Sequence, residues 1–182
     1  MRLDNLRRNI ETEYKCLVTK KQYEKICDFY RDRAQLRRQK NVYYVDVKKQ
    51  LIELNAVLRN RIYDEGNTLT FKIRIEDKLH EFEKDDCLLN DREFLAVLAD
   101  YRIYPPFIEL GELITTRRLV ELPDAELCLD ENRYNGKTDY EIEYELKNEK
   151  TNLDDFIALL KEVGIRYRPN SLSKYQRTVR SL

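Results

Sequence analysis

Residues 11–15 read Glu11-Thr12-Glu13-Tyr14-Lys15, and the periodicity of this stretch decides the fold. An extended strand points successive side chains to opposite faces. Glu11, Glu13 and Lys15 then share one face, while Ile10, Thr12, Tyr14 and Cys16 share the other. Two carboxylates one pleat apart beside an ammonium suit a solvated sheet face or a cavity that holds a metal and an anion. Any half-exposed strand shows such alternation, so the rest of the chain has to choose.

The chain has 182 residues, enough for one domain with a real core. Charged residues make up 37% of it, yet 34 basic side chains balance 34 acidic ones. That balance does not point to nucleic acid or membrane as a partner, so position matters more than sum. Only 4 glycines and 4 prolines favour long regular elements. Cys16, Cys27, Cys87 and Cys128 lie far apart with no Cys-x-x-Cys, which reads as reduced thiols in a cytosolic protein. The first ten residues are basic without the apolar run of a signal peptide, and no segment reaches membrane-spanning length. The expected location is the cytoplasm.

Outward from the opening strand (residues 9–18), Thr19 caps a predicted helix in which Tyr23, Ile26, Cys27 and Tyr30 fall at helical spacing through residue 32. Strands are predicted over 41–47 and 52–63. Asp64-Glu65-Gly66-Asn67 then turns the chain into a hairpin. The returning strand, 68–76, puts Leu69, Phe71, Ile73 and Ile75 on one face and Thr70, Lys72, Arg74 and Glu76 on the other. A strand over 79–85 carries Glu81 and Glu83. Asp91 opens a helix, and strands follow at 107–122, 125–132 and 138–147. Asn152 caps a helix that Gly164 stops, and the tail can form a short helix. Eight strands in sequential runs with three or four helices predict an α+β fold on an antiparallel sheet or barrel, as a single domain over 1–182.

Four strands carry dense charge on one face: Glu11/Glu13/Lys15, Arg59/Arg61, Lys72/Arg74 and Glu141/Glu143/Glu145. Glutamates at i, i+2 and i+4 repel one another and are poor strand formers, so something must offset them. A solvated face with weak ion pairs accounts for each strand separately. It does not readily account for acids at both ends of the chain and bases in the middle. A closed barrel offers another answer, with apolar faces against outer helices and charged faces lining a wet interior, and the pattern alone leaves both readings open.

The ordered set Glu11-x-Glu13-x-Lys15, Arg59-x-Arg61, Lys72-x-Arg74, Arg117-Arg118, Asp130, Glu141 to Glu145 and Ser173-Lys174-x-x-Arg177 resembles the triphosphate tunnel metalloenzyme family, also called the CYTH superfamily, over residues 9–178. Its bacterial inorganic triphosphatases are the nearest in kind. The resemblance implies an eight-stranded antiparallel barrel forming a tunnel, with helices packed outside. It implies Mg²⁺ or Mn²⁺ held by Glu11, Glu13, Glu143 and Glu145, with Glu141 and Asp130 completing the set. Lys15, Arg59, Arg61, Lys72 and Arg74 would contact phosphate oxygens, with Lys174 and Arg177 closing from the tail. Glu11, Glu13 and Lys15 would carry the catalysis. Strand parity admits only one of Arg117 and Arg118 to the interior, and Arg118 is the one expected there.

The chemistry is coherent from the residues up. Triphosphate hydrolysis needs charge neutralisation more than covalent help. Arginine forks and lysine point charges supply it, and oxygen-only ligands suit Mg²⁺ or Mn²⁺ rather than zinc. The lone histidine, His80, reads as structural or solvent-facing. Within the family, cyclases carry a His-Phe pair shortly before the first Glu, where this chain has Asn5 and Leu6. A thiamine cation would favour a tryptophan, and there is none, though 13 tyrosines could substitute. The expected function is metal-dependent hydrolysis of inorganic tripolyphosphate by a monomer or homodimer, with no membrane or nucleic-acid partner. The alternatives are a thiamine or nucleoside triphosphatase, a class IV adenylate cyclase, or a non-catalytic polyphosphate- or nucleotide-binding module.

Overall fold

The computed structural model describes residues 6–170 and 172–181. Asn5, which stands in the place of the cyclases' His-Phe pair, lies outside the described residues, as does Ser171 of the tail. Among the described residues nine strands follow the chain: β1 (Arg7–Glu11), β2 (Glu13–Val18), β3 (Ala34–Asp46), β4 (Val57–Tyr63), β5 (Gly66–Ile75), β6 (Lys78–Asp85), β7 (Phe107–Glu121), β8 (Ala125–Tyr134) and β9 (Lys137–Leu146). The helices are α1 (Lys20–Phe29), α2 (Gln50–Glu53), α3 (Arg92–Asp100), α4 (Leu153–Glu162) and α5 (Lys174–Val179). The strands join in the order β1-β6-β5-β4-β3-β7-β8-β9-β2, and every recorded register is antiparallel.

The expected eight strands become nine because the opening strand breaks at Thr12. Glu11 pairs with Leu79 of β6, whereas Glu13 pairs with Glu145 of β9. A ladder cannot continue through a residue whose two neighbours have different partner strands. Thr12 instead offers its carbonyl to the Leu146 N–H at 2.9 Å. The strand predicted over 52–63 also starts later, since residues 50–53 form α2, whose Gln50 and Leu51 N–H groups donate to the Asp46 carboxylate. The basic residues 37–40, expected to precede a strand, lie inside the 13-residue β3.

The chain divides into two compact units. Among the described residues the first comprises residues 6–11, Lys40–Leu113 and residues 175–181. Its core joins Leu58, Leu69, Phe71, Ile73 and Phe82 of the sheet to Phe94 and Leu98 of α3. Alternation on β5 places Leu69, Phe71 and Ile73 in this core, as their spacing predicts. Asp91 caps α3 by accepting from the Phe94 N–H at 2.9 Å.

The second unit comprises Thr12–Gln39 and Ile114–Lys174. Cys16, Leu127, Leu129, Ile142 and Tyr144 pack there against Tyr23 and Ile26 of α1 and Phe156 and Leu160 of α4. Thr19 and Gln22 form a capping box at the start of α1, and Asn152 and Asp155 do the same for α4. Gly164, at φ +69°, ends α4 in the left-handed conformation that glycine adopts cheaply. Each unit therefore covers one sheet face with helices and leaves the other to its charged side chains.

Candidate active site

In the first unit the strand registers stack the charged residues into rows. Arg7, Glu83, Thr70, Arg59 and Tyr43 form one row, and Asn9, Glu81, Lys72 and Val57 the next. Lys72 Nζ lies 2.5 Å from Glu11 Oε2 and 3.0 Å from Glu81 Oε1. Arg59 is only 8% exposed. Its Nη2 donates to Thr70 Oγ1 at 3.2 Å and stands 3.7 Å from Glu81 Oε1, while its buried Nε has no hydrogen-bond partner. Burial, and then the neighbouring Arg61, push the Arg59 guanidinium below its ordinary pKa. Arg61 Nε donates to Asn41 Oδ1 at 3.2 Å. A buried guanidinium with an idle N–H beside a second arginine is a site that an anion would complete.

In the second unit the equivalent rows are Arg117, Asp130 and Glu141, then Leu119, Cys128, Glu143 and Lys15, then Glu121, Glu126, Glu145 and Glu13. Lys174, at the start of α5, places Nζ 2.7 Å from Asp130 Oδ2, 3.1 Å from Glu141 Oε2 and 2.6 Å from Glu143 Oε1. Asp130 and Glu141 are fully buried. Arg117 Nη2 reaches Glu143 Oε2 at 2.6 Å. Asn170 Nδ2 donates to Glu141 Oε1 at 2.7 Å. Lys15 pairs with Glu13.

The electrostatics follow from this geometry. Burial opposes the charge of Glu143, but Lys174, Arg117 and Lys15 together hold its carboxyl well below the usual carboxylate range. Burial likewise opposes the Lys174 charge, and Asp130, Glu143 and Glu141 outweigh it, raising that ammonium well above its ordinary value. Lys15 is raised in the same way, with burial overcome by Glu13 and Glu143.

The structure brings together most residues singled out in the sequence, in two groups. Glu11, Arg59, Arg61 and Lys72 share the first unit's charged face. Glu13, Lys15, Asp130, Glu141, Glu143 and Glu145 share the second unit's, with Lys174 inserted among them. Arg177 is buried on α5. Two placements differ from expectation. Arg118 lies on the helix side, where its Nη1 donates to Tyr23 Oη at 2.7 Å, and Arg117 takes the place beside the carboxylates. The register opposite Asp130 decides between them, and two adjacent arginines carry no mark of register in the sequence. Arg74 is exposed and caps the β5–β6 turn by donating to the Asp77 carbonyl at 2.8 Å. Glu81, given no role from sequence, holds Lys72 and Arg59; its parity on β6 was legible, but not that β6 lies between β1 and β5.

Oxygen-only donors such as Asp130, Glu141 and Glu143 fit a hard divalent cation. Among the described residues no three Asp, Glu, His or Cys side chains already stand in a metal-holding arrangement. A cationic group does sit among three carboxylates, and it is the Lys174 ammonium. The site's charge therefore suits a cation.

A family model described as the CYTH domain matches residues 9–179. The chain belongs to the CYTH domain family. This CYTH protein is similar in structure to a candidate adenylate cyclase from Bacillus halodurans, with 26% identity over 93% of this chain and 97% of that one and a TM-score of 0.83. A Hippeastrum protein, described as a candidate adenylyl cyclase with a dominant triphosphatase activity, matches at 23% identity over 94% and 95% of the two chains, with a TM-score of 0.78. A protein from Pyrococcus horikoshii shares the fold at 18% identity over 94% and 99%, with a TM-score of 0.65. No curated protein matches the sequence. Among the described residues no helix is long and apolar enough to cross a membrane.

Proposed function

We propose that this CYTH protein hydrolyses a triphosphate with the help of Mg²⁺ or Mn²⁺, and that inorganic tripolyphosphate is its preferred substrate. The observation that carries the reading is Arg59, a buried guanidinium beside Arg61 whose Nε lacks a partner. Leaving that donor unsatisfied costs free energy that a phosphate oxygen would recover. On the first unit Arg59, Arg61 and Lys72 are the side chains that suit non-bridging phosphate oxygens, and on the second unit Lys15 is. They disperse the charge of the anion and so ease attack by water at a terminal phosphorus. Glu13, Asp130, Glu141, Glu143 and Glu145 supply oxygen ligands for the cation. Bound there, that cation neutralises phosphate charge and acidifies water. Thr70 and Glu81 fix the Arg59 and Lys72 side chains before the anion arrives.

Inorganic substrate is favoured because the sequence shows no evident base-binding motif and no tryptophan to stack a thiamine cation, for which only the tyrosines could substitute. The four thiols are free, which supports a cytoplasmic setting. Nucleotide cyclisation is the second reading, raised by the names of the Bacillus and Hippeastrum proteins. The test is phosphate release from tripolyphosphate, ATP and thiamine triphosphate, each with Mg²⁺, Mn²⁺ or EDTA, together with cyclic AMP measurement. Metal-dependent release fastest from tripolyphosphate supports the proposal. Faster ATP turnover, or cyclic AMP among the products, replaces it with the second reading.

A further inference from the structure

We propose that the Lys174 ammonium is the resident counter-ion of the carboxylate cluster, and that it must leave for a divalent cation to bind. The proposal rests on the metal-binding role assigned above to Asp130, Glu141 and Glu143, and adds what sets their affinity.

Lys174 Nζ approaches one oxygen from each of the three, at 2.7, 3.1 and 2.6 Å. A divalent ion held by those oxygens would need the volume that the ammonium fills. Charge gives the second reason: Lys174 and Arg117 are both held against these buried carboxylates, and a divalent ion in place of the ammonium would bring one more positive charge to them. Arg117 is the less exchangeable of the two. Its guanidinium is fixed by paired bonds to Asp130, from Nε to Oδ1 at 2.8 Å and from Nη2 to Oδ2 at 2.7 Å. Lys174 is a single point charge on a flexible stem, and leaves by rotating its side chain. Its backbone approach is held by neighbours: Pro169 bridges to Cys16, and the Asn170 N–H donates to the Lys15 carbonyl at 3.2 Å. The exchange therefore requires motion of one side chain. It also frees an ammonium at the moment the cation arrives.

Two readouts that need no turnover test this. Mn²⁺ binding to the full chain is measured by calorimetry for the wild type, Lys174→Met and Lys174→Arg, with thermal melts in EDTA confirming that each variant folds. Removing the competing charge should tighten Mn²⁺ binding about tenfold or more in Lys174→Met, and restoring a charge in Lys174→Arg should reverse most of that gain. Unchanged or weaker Mn²⁺ binding by folded Lys174→Met overturns the proposal. On the wild type, amine-selective methylation read by mass spectrometry should find Lys174 protected in EDTA and reactive at saturating Mn²⁺. Protection that persists with Mn²⁺ bound also overturns it. If Mn²⁺ binds and exposes Lys174 while tripolyphosphate stays intact, the hydrolysis reading fails and the exchange stands. If tripolyphosphate is turned over while Lys174 stays protected, the exchange fails and the hydrolysis reading stands.

Discussion

Arg117 and Asp130 form a bidentate ion pair across β7 and β8, with Nε–Oδ1 at 2.8 Å and Nη2–Oδ2 at 2.7 Å. Asp130 is fully buried, so its charge depends on this fork and on Lys174. Removing one partner of a buried pair strands the other. Arg117→Met should therefore cost about 3 kcal/mol of stability, and tripolyphosphate turnover should fall with it. Arg118→Met loses one hydrogen bond to Tyr23, about 1 kcal/mol, and should keep normal turnover. Denaturant unfolding and phosphate release on the two variants check the assignment; equal effects would count against it.

Arg59 predicts the opposite combination. Burial depresses its pKa and its Nε is unsatisfied, so its charge contributes little to folding in the absence of an anion. Arg59→Met should leave the melting temperature unchanged or raised while turnover falls roughly 10²- to 10³-fold. A variant that melts early and keeps its turnover would make Arg59 a structural residue.

Glu13 sits opposite Glu145 on β9 and pairs with Lys15. Glu13→Gln removes one carboxylate charge at nearly constant volume. Hydrolysis should fall to background, Mn²⁺ should bind more weakly, and far-ultraviolet circular dichroism should not change. Wild-type turnover in excess EDTA should be equally absent.

The α3 cap gives a pH prediction away from the site. Burial pushes the Asp91 carboxyl up, but bonds from the Phe94 N–H and Lys84 outweigh it and leave the pKa depressed. A depressed carboxylate contributes stability that is present above its unfolded value, about 3.9, and is lost as pH falls through the folded value. Asp91→Ala should cost about 1 kcal/mol at pH 7. The gap between variant and wild type should close as pH falls below about 4. Parallel melting curves at every pH would assign the loss to something other than the carboxylate.

Local patterning made much of this protein legible in one dimension. The caps Thr19, Asp91 and Asn152, the stop at Gly164, and the alternation over β5 and β9 are decided by neighbouring residues and by period, so they could be read directly. Period also assigned Glu13, Lys15, Glu141 and Glu143 to one kind of face, and the order of the charged motifs, Asp130 among them, pointed to the CYTH family.

Register and partner choice belonged to the tertiary structure. Thr12 breaks the opening strand because β6 and β9 claim its two sides, a choice of partners and not of local period. The pairing of β7 with β8 sets Arg117 rather than Arg118 against Asp130. The placing of β6 between β1 and β5 turns Glu81 into the partner of Lys72. A strand's period is a property of its own backbone and survives in the sequence. The identity of the residue across the ladder is settled by which strands the whole chain can pack together, a non-local free energy that no single segment carries.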